Sequence, residues 1–148
     1  MLNEDFKDML QCLLDAEAEF LLIGGYALAA HGYPRATKDI DLWVDASSEN
    51  APRVAAALRA FGAPSHGIRE EDFATPGIVL QLGIPPRRID LTTKVDGVVF
   101  EQCWENRETV EIDGLEVPLL SRKNLIENKK ATGRPQDLLD VDVLESPD

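Results

Sequence analysis

The chain has 148 residues, 44% of them hydrophobic and 28% charged, and a formal net charge of −12. That is the make-up of one ordinary globular domain, large enough to bury a core without disulfide or metal staples. The acidic balance excludes a protein that coats long nucleic acid electrostatically.

The opening MLNEDFKDML has no basic region leading into an apolar one, so no signal peptide is expected. The apolar run over residues 20–30 is broken by two glycines and is too short to span a bilayer. Cys12 and Cys103 lack metal-type or redox-type spacing, and Cys12 falls in a helical apolar pattern. It reads as a reduced core residue, as expected of a cytoplasmic protein.

Asn3 is placed to cap a first helix whose apolar positions are Phe6, Met9, Leu10, Leu13 and Leu14, ending near Ala18. Phe20–Ile23 reads as a buried strand running into a tight turn at Gly24–Gly25. A short helix is predicted over Tyr26–His31, closed by Gly32 with Pro34 beyond. A strand then covers Asp39–Asp45, and Ser47 or Ser48 caps a helix carrying Val54, Ala55, Leu58 and Phe61 inward and ending at Gly62. Residues 63–76, including His66, read as loop with at most one short turn. Ile78–Leu82 and Arg88–Thr92 form a predicted hairpin, and Phe100–Trp104 a short helix. Asp113–Gly114, between apolar-alternating runs, is the strongest hairpin signal in the chain. Ser121 caps a helix running to about Ala131, Gly133 ends it, and Pro135 opens a last one with Leu138, Leu139, Val141, Val143 and Leu144. With no internal repeat, the fold expected is a single α+β domain (1–148) with a mixed sheet, its core near 20–92 and a hairpin and two helices over 108–145.

The stretch GGYALAAHGYPRATKDIDLWV, residues 24–44, carries the chemistry. Asp39 and Asp41, two apart on a strand, point to one face about 6.5–7 Å apart along the chain. The strand Arg88-Ile89-Asp90-Leu91-Thr92 repeats the pattern, with Ile40, Leu42, Val44, Ile89 and Leu91 facing the core and Asp90 sharing the acidic face. If the two strands are neighbours, three carboxylates converge and their repulsion needs a cation. Hard oxygen ligands without histidine or cysteine favour Mg²⁺ or Mn²⁺ over zinc. Two such ions about 3.5–4 Å apart can activate an attacking hydroxyl and stabilise a leaving oxygen in phosphoryl chemistry. The glycine pair at a strand-to-helix turn leaves backbone amides that suit phosphate.

A Gly-Gly turn, thirteen residues, Asp-Ile-Asp-Leu and a later apolar-Asp-apolar strand resemble the polymerase-β-type nucleotidyltransferase superfamily. Together with the later NLIENKKATGRPQDLLDVDVL, the local wording is similar to small stand-alone bacterial nucleotidyltransferases related to abortive-infection toxins of toxin–antitoxin pairs. The resemblance implies that Asp39 and Asp41 hold Mg²⁺ ions carrying a nucleoside triphosphate. It implies that Asp90 completes the second metal site and helps deprotonate the acceptor, and that Gly24 and Gly25 contact the triphosphate. An antitoxin partner is implied by it as well.

Residues 121–134 hold five basic groups against one acid, a local anion site or a solvated helix face. Lys129 or Lys130 is a candidate phosphate counter-charge, with Lys123 two turns from Lys130, Arg134 beyond Gly133, and Arg35 and Lys38 flanking the acidic strand as further candidates. Thr37 either bonds near the metal or simply favours the strand; Tyr26 and Trp43 either wall a base pocket or pack. Neither His31 nor His66 receives a catalytic role. No G-x-G-x-x-G, G-x-x-x-x-G-K-[ST] or G-x-S-x-G motif supports a Rossmann protein, a Walker NTPase or a hydrolase. The expected activity is metal-dependent transfer of an NMP from an NTP to a hydroxyl on an RNA 3′ end, a protein or a small molecule, with no extended nucleic-acid surface and no membrane contact. The competing expectation is a non-catalytic nucleotide- or metal-binding partner protein of the same fold.

Overall fold

The computed structural model describes residues 2–64 and 68–146, so His66 lies outside the described residues. Asn3 caps α1 (Glu4–Asp15) by accepting from the Phe6 amide at 2.9 Å, and Phe6, Met9, Leu10 and Leu13 form its buried stripe. The helix stops at Asp15 rather than near Ala18. Glu17 adopts φ +57°, which a right-handed helix cannot continue through, and the Ala18 amide turns back to the Leu13 carbonyl at 3.0 Å.

β1 (Phe20–Ile23) is buried at all four positions and runs directly into α2 (Gly24–Ala30). The helix therefore begins at the glycine pair, two residues before the predicted start. Gly24 makes the sharp turn with φ +70°, a conformation that a residue with a β-carbon resists. β2 (Asp39–Val44) returns antiparallel to β1, placing Asp41 opposite Ile23.

α3 (Ala51–Phe61) is preceded by Asn50, not Ser47 or Ser48, at its cap position. The Ser47 hydroxyl is occupied one turn earlier, accepting the Asn50 amide at 3.0 Å. The Asn50 side chain, almost wholly buried, accepts from the Glu19 amide at 2.7 Å and donates to the Glu19 and Asp45 carbonyls. It ties the start of β1 to the end of β2. Gly62 closes α3 with φ +88°.

A 3₁₀ turn at Glu70–Ala74 leads to the hairpin of β3 (Val79–Leu82) and β4 (Arg88–Thr92). α4 (Phe100–Glu105) precedes the second hairpin, β5 (Glu108–Ile112) and β6 (Leu115–Leu119), whose turn residues Asp113 and Gly114 both have positive φ, +50° and +84°. The six strands form one mixed sheet in the order β3-β4-β2-β1-β6-β5, with β2–β4 and β1–β6 parallel. α5 (Arg122–Thr132) is capped by Ser121 and closed by Gly133, and α6 (Pro135–Glu145) follows.

Alternation along β2 and β4 is as the residue pattern predicts. Ile40, Leu42, Val44, Ile89 and Leu91 are at most 1% exposed, while Asp39, Asp41 and Asp90 are half-buried on the opposite face. Each buried aliphatic side chain contributes about 1.5–3 kcal/mol, so the register of β2 against β4 is fixed by the apolar face. α6 differs from its apolar pattern. Leu138, Leu139 and Val143 are exposed, and Asp137 and Asp140 are buried beside Val141 and Leu144. The two acids turn inward because α5 and the segment before β2 supply cations to meet them. None of the described helices is long and apolar enough to cross a membrane.

Candidate active site

β2 and β4 are parallel neighbours, with Asp41 opposite Asp90 and Asp39 opposite Arg88. Carboxylate oxygens of Asp39, Asp41 and Asp90 lie within 4.8 Å of one another. Gly24 closes one side: a β-carbon there would stand 2.3 Å from Asp41 Oδ2. Thr37 bonds the Asp39 carbonyl from its hydroxyl at 2.9 Å, and a β-carbon on Gly25 would approach the Thr37 side chain at 3.3 Å. The glycine pair thus lets the α2 backbone lie against the acidic strand.

Arg88 is the cation already among these acids. Its Nη2 donates to Asp39 Oδ2 at 2.8 Å and to Asp90 Oδ2 at 3.1 Å. Arg88 Nε lies 3.1 Å from Asp90 Oδ1, close enough for charge attraction, yet the two atoms are not aligned for a hydrogen bond and both are buried without a partner. An all-oxygen donor set, a buried carboxylate oxygen lacking a donor and a cradle that a single β-carbon would fill all fit a hard divalent cation.

Burial, then the charges of Asp39 and Asp90, push the Asp41 carboxyl up from 3.8 to about 7. Asp90 is also raised, by burial first, with Arg88 opposing the rise. Raised carboxyl values in the folded state mean that the metal-free protein is favoured when Asp41 is protonated. Its contribution is complete below the unfolded value of 3.8 and is lost as pH rises through about 7. The displacement is worth about 4 kcal/mol at most, less after screening. In EDTA the melting temperature should therefore fall between pH 5 and pH 8, and Asp41→Asn should flatten that fall. A fall of the same size in Asp41→Asn would locate the effect elsewhere.

Asp39 and Asp41 open onto a cleft of about 390 Å³ whose lining also includes Gly24, Lys94, Lys129 and Arg134, with Asp90 just behind it. Of the basic residues singled out from the sequence, only Lys129 and Arg134 line it. Lys130 is half-exposed and pairs with Glu145 at 2.7 Å, while Lys123 and Lys38 are exposed outside the lining. Arg35 reaches α6 instead, forming a two-pronged ion pair with Asp140. Lys129 is nearly buried, with Nζ 3.3 Å from Asp137 Oδ1 and 2.8 Å from Asp140 Oδ2. Arg134 Nε and the Thr132 hydroxyl donate to Asp137 Oδ2 at 2.7 and 2.6 Å. Burial alone would raise both carboxyls, but the bonds from Thr132, Arg134 and Lys129 outweigh it for Asp137, as those from Arg35, Lys129 and Gln136 do for Asp140; both are held below the ordinary range.

Sequence reasoning missed Arg88, Lys94, Asp137 and Asp140 as parts of this region. Arg88 had a legible signal, since it lies two residues before Asp90 and so on the same strand face. Asp137 and Asp140 are three apart on one helix and face the partner helix together. Trp43 is buried edge-on against Phe100 at 5.1 Å and Tyr26 packs edge-on against Phe6 at 5.8 Å; neither lines the cleft. His31 ends α2 and bonds the Leu120 carbonyl at 2.9 Å.

A family model described as "Nucleotidyl transferase AbiEii toxin, Type IV TA system" matches residues 8–146. No curated protein sequence matches the chain significantly. Among solved structures, the lincomycin-bound lincosamide antibiotic adenylyltransferase LnuA shares 14% identity and a TM-score of 0.60, with 99% of this chain and 98% of that one covered. The Thermotoga maritima protein TM1012, assigned as a nucleotidyltransferase, shares 17% identity and a TM-score of 0.57, with 97% and 92% covered. The fold is thus shared over nearly the whole chain with both solved structures, and the family match covers residues 8–146: this protein belongs to the AbiEii nucleotidyltransferase toxin family.

Proposed function

We propose that the protein transfers an NMP from an NTP to an acceptor hydroxyl in a divalent-metal-dependent reaction, releasing pyrophosphate. The observation carrying this reading is the register that sets Asp41 against Asp90, with Asp39 oxygens within 4.8 Å, at the edge of a cleft that also holds Lys129 and Arg134. Asp39, Asp41 and Asp90 would hold Mg²⁺ or Mn²⁺, which when bound polarises phosphate oxygens and offsets charge at the reacting phosphorus. The acceptor oxygen forms a bond to the α-phosphorus as the bond to the bridging oxygen breaks. Asp90, which faces the same side of the sheet, is the carboxylate that would help deprotonate the acceptor hydroxyl. Gly24 and Gly25 approach the phosphates by main chain, and Lys129 and Arg134 supply positive charge from the α5–α6 side. Lys123, Lys130, Lys38 and Arg35 are assigned no phosphate contact.

A net charge of −12 disfavours a long polyanion as acceptor, leaving a small molecule, a protein side chain or an RNA 3′ end that enters only the cleft. The resemblance to toxins of toxin–antitoxin pairs supports a growth-arresting role held in check by an antitoxin in the cytoplasm. Incubation with each α-labelled NTP, Mg²⁺ and cell extract should label one class of molecule. Absence of label with every NTP would instead favour a nucleotide-binding protein without turnover. In parallel, Mg²⁺ with the NTP at about 100 times its Kd should raise the melting temperature by about 5–10 °C. Asp39→Asn should show a clearly smaller rise, and equal shifts would argue against a metal site there.

A further inference from the structure

Arg88 is the strongest feature that the proposed chemistry leaves without a role. It begins β4 directly opposite Asp39, and its guanidinium bridges Asp39 and Asp90 while making no bond to Asp41. A guanidinium satisfies a carboxylate best through two parallel N–H donors. Here one nitrogen, Nη2, serves both acids, and the second prong fails: Nε and Asp90 Oδ1 stand 3.1 Å apart, unaligned and buried. The clamp is incomplete, and the Arg88 side chain is already 32% exposed, so part of it reaches solvent.

We propose that Arg88 is a resident counter-ion of the carboxylate triad, and that divalent-metal loading is a cation exchange in which the guanidinium leaves Asp39 and Asp90 as the metal takes their oxygens. This rests on the reading of the triad as a metal site. The physical reason is competition. Asp39 Oδ2 and Asp90 Oδ2 accept from Nη2, so a metal taking those atoms competes for their lone pairs and sets a divalent charge beside the guanidinium, which favours its departure. In exchange, one monovalent cation with two aligned bonds gives way to a hard divalent cation able to engage all three carboxylates. Without metal, Arg88 keeps the acids assembled against their own repulsion. A site held about nine-tenths in the arginine-occupied form shows a metal Kd about tenfold weaker than its intrinsic one.

The test uses the full chain with MgCl₂ or MnCl₂ alone, without nucleotide. In ¹⁵N spectra of arginine side chains, the Arg88 Nε–H signal, identified by its loss in Arg88→Gln, should be displaced and slow to exchange in EDTA. Saturating Mg²⁺ should move it to the position and exchange rate of a solvated guanidinium, with the midpoint found by calorimetric metal titration. Arg88→Gln should bind Mn²⁺ about tenfold more tightly and melt lower than wild type in EDTA, with the gap closing when Mn²⁺ is saturating. If calorimetry shows metal bound while the Arg88 signal stays unmoved, the exchange is wrong and the metal site stands. If wild type and Arg88→Gln both fail to bind either ion, both readings fall. Unchanged or weaker Mn²⁺ binding by Arg88→Gln also overturns the exchange. The wild-type spectrum keeps the test decisive even if the variant folds poorly.

Discussion

Replacing Asp41 or Asp90 with alanine should lower nucleotidyl transfer by about 10³-fold or more while leaving the fold intact. Losing a ligand to a catalytic cation forfeits several kcal/mol of transition-state stabilisation, and each 1.36 kcal/mol is a factor of ten in rate. The fold should survive because neither side chain contributes to the apolar face of the sheet, where Ile40, Leu42, Ile89 and Leu91 set the register. Asp41 is an unfavourable charge in the metal-free protein. Burial and its two acidic neighbours raise its carboxyl to about 7, and a β-carbon at Gly24 would collide with its Oδ2. Asp41→Ala should therefore melt at or above the wild-type temperature in EDTA at pH 8, as expected where a functional site is kept at some cost in stability. Initial rates of pyrophosphate release, set beside EDTA melting curves, give both quantities from one preparation. Unchanged transfer in either variant would remove the triad from the mechanism. Lost transfer with a collapsed melting transition would show a structural role instead.

The acids on β2 and β4 were legible because strand geometry has period two. Ile40 and Leu42 had to face the core, so Asp39 and Asp41 had to face away, and the same logic placed Asp90. What no local rule could supply was that β4 joins β2 in parallel across a crossover, setting Asp41 against Asp90 and not one residue away. The basic cluster was harder. Residues 121–134 show excess positive charge, but charge counting does not say which side of a helix a lysine occupies or which acid answers it. Lys129 and Lys130 are neighbours in sequence, yet one is nearly buried between Asp137 and Asp140 and the other pairs with Glu145 at the surface. α6 misled for the same reason. Its leucines suggested an inward face, whereas Leu138 and Leu139 are exposed and two aspartates are buried. An acid is buried only where cations await it, and those come from residues 35, 129 and 134, remote from α6 or one turn before it.

Lys129→Met should be the most destabilising single substitution among the basic residues that line the cleft. The lysine side chain is 10% exposed and stands between Asp137 at 9% and Asp140 at 3%, so methionine keeps most of the packing but leaves two buried acids short of a cation. Breaking a buried pair by removing one partner costs about 3–5 kcal/mol. Here Arg134 and Thr132 remain on Asp137, and Arg35 and Gln136 on Asp140, which brings the expected loss to about 2–4 kcal/mol. The melting temperature should drop by about 5–15 °C at pH 7. The pH dependence identifies the cause. Asp137 and Asp140 are held below the ordinary carboxylate range, so their ion pairs stabilise the fold above that range and stop doing so as pH falls through the folded values. The gap between wild type and Lys129→Met should therefore be widest near neutrality and narrow below about pH 4. Adding Asp140→Asn to Lys129→Met should recover part of the loss, because the acid that the lysine neutralised is then gone. A gap independent of pH, with no recovery in the double variant, would mean that Lys129 acts through packing. Transfer assayed well below the variant's melting temperature then isolates the lysine's effect in the cleft: an NTP KM raised with kcat little changed would indicate ground-state binding, whereas a fall in kcat would place its charge on the phosphates in the transition state.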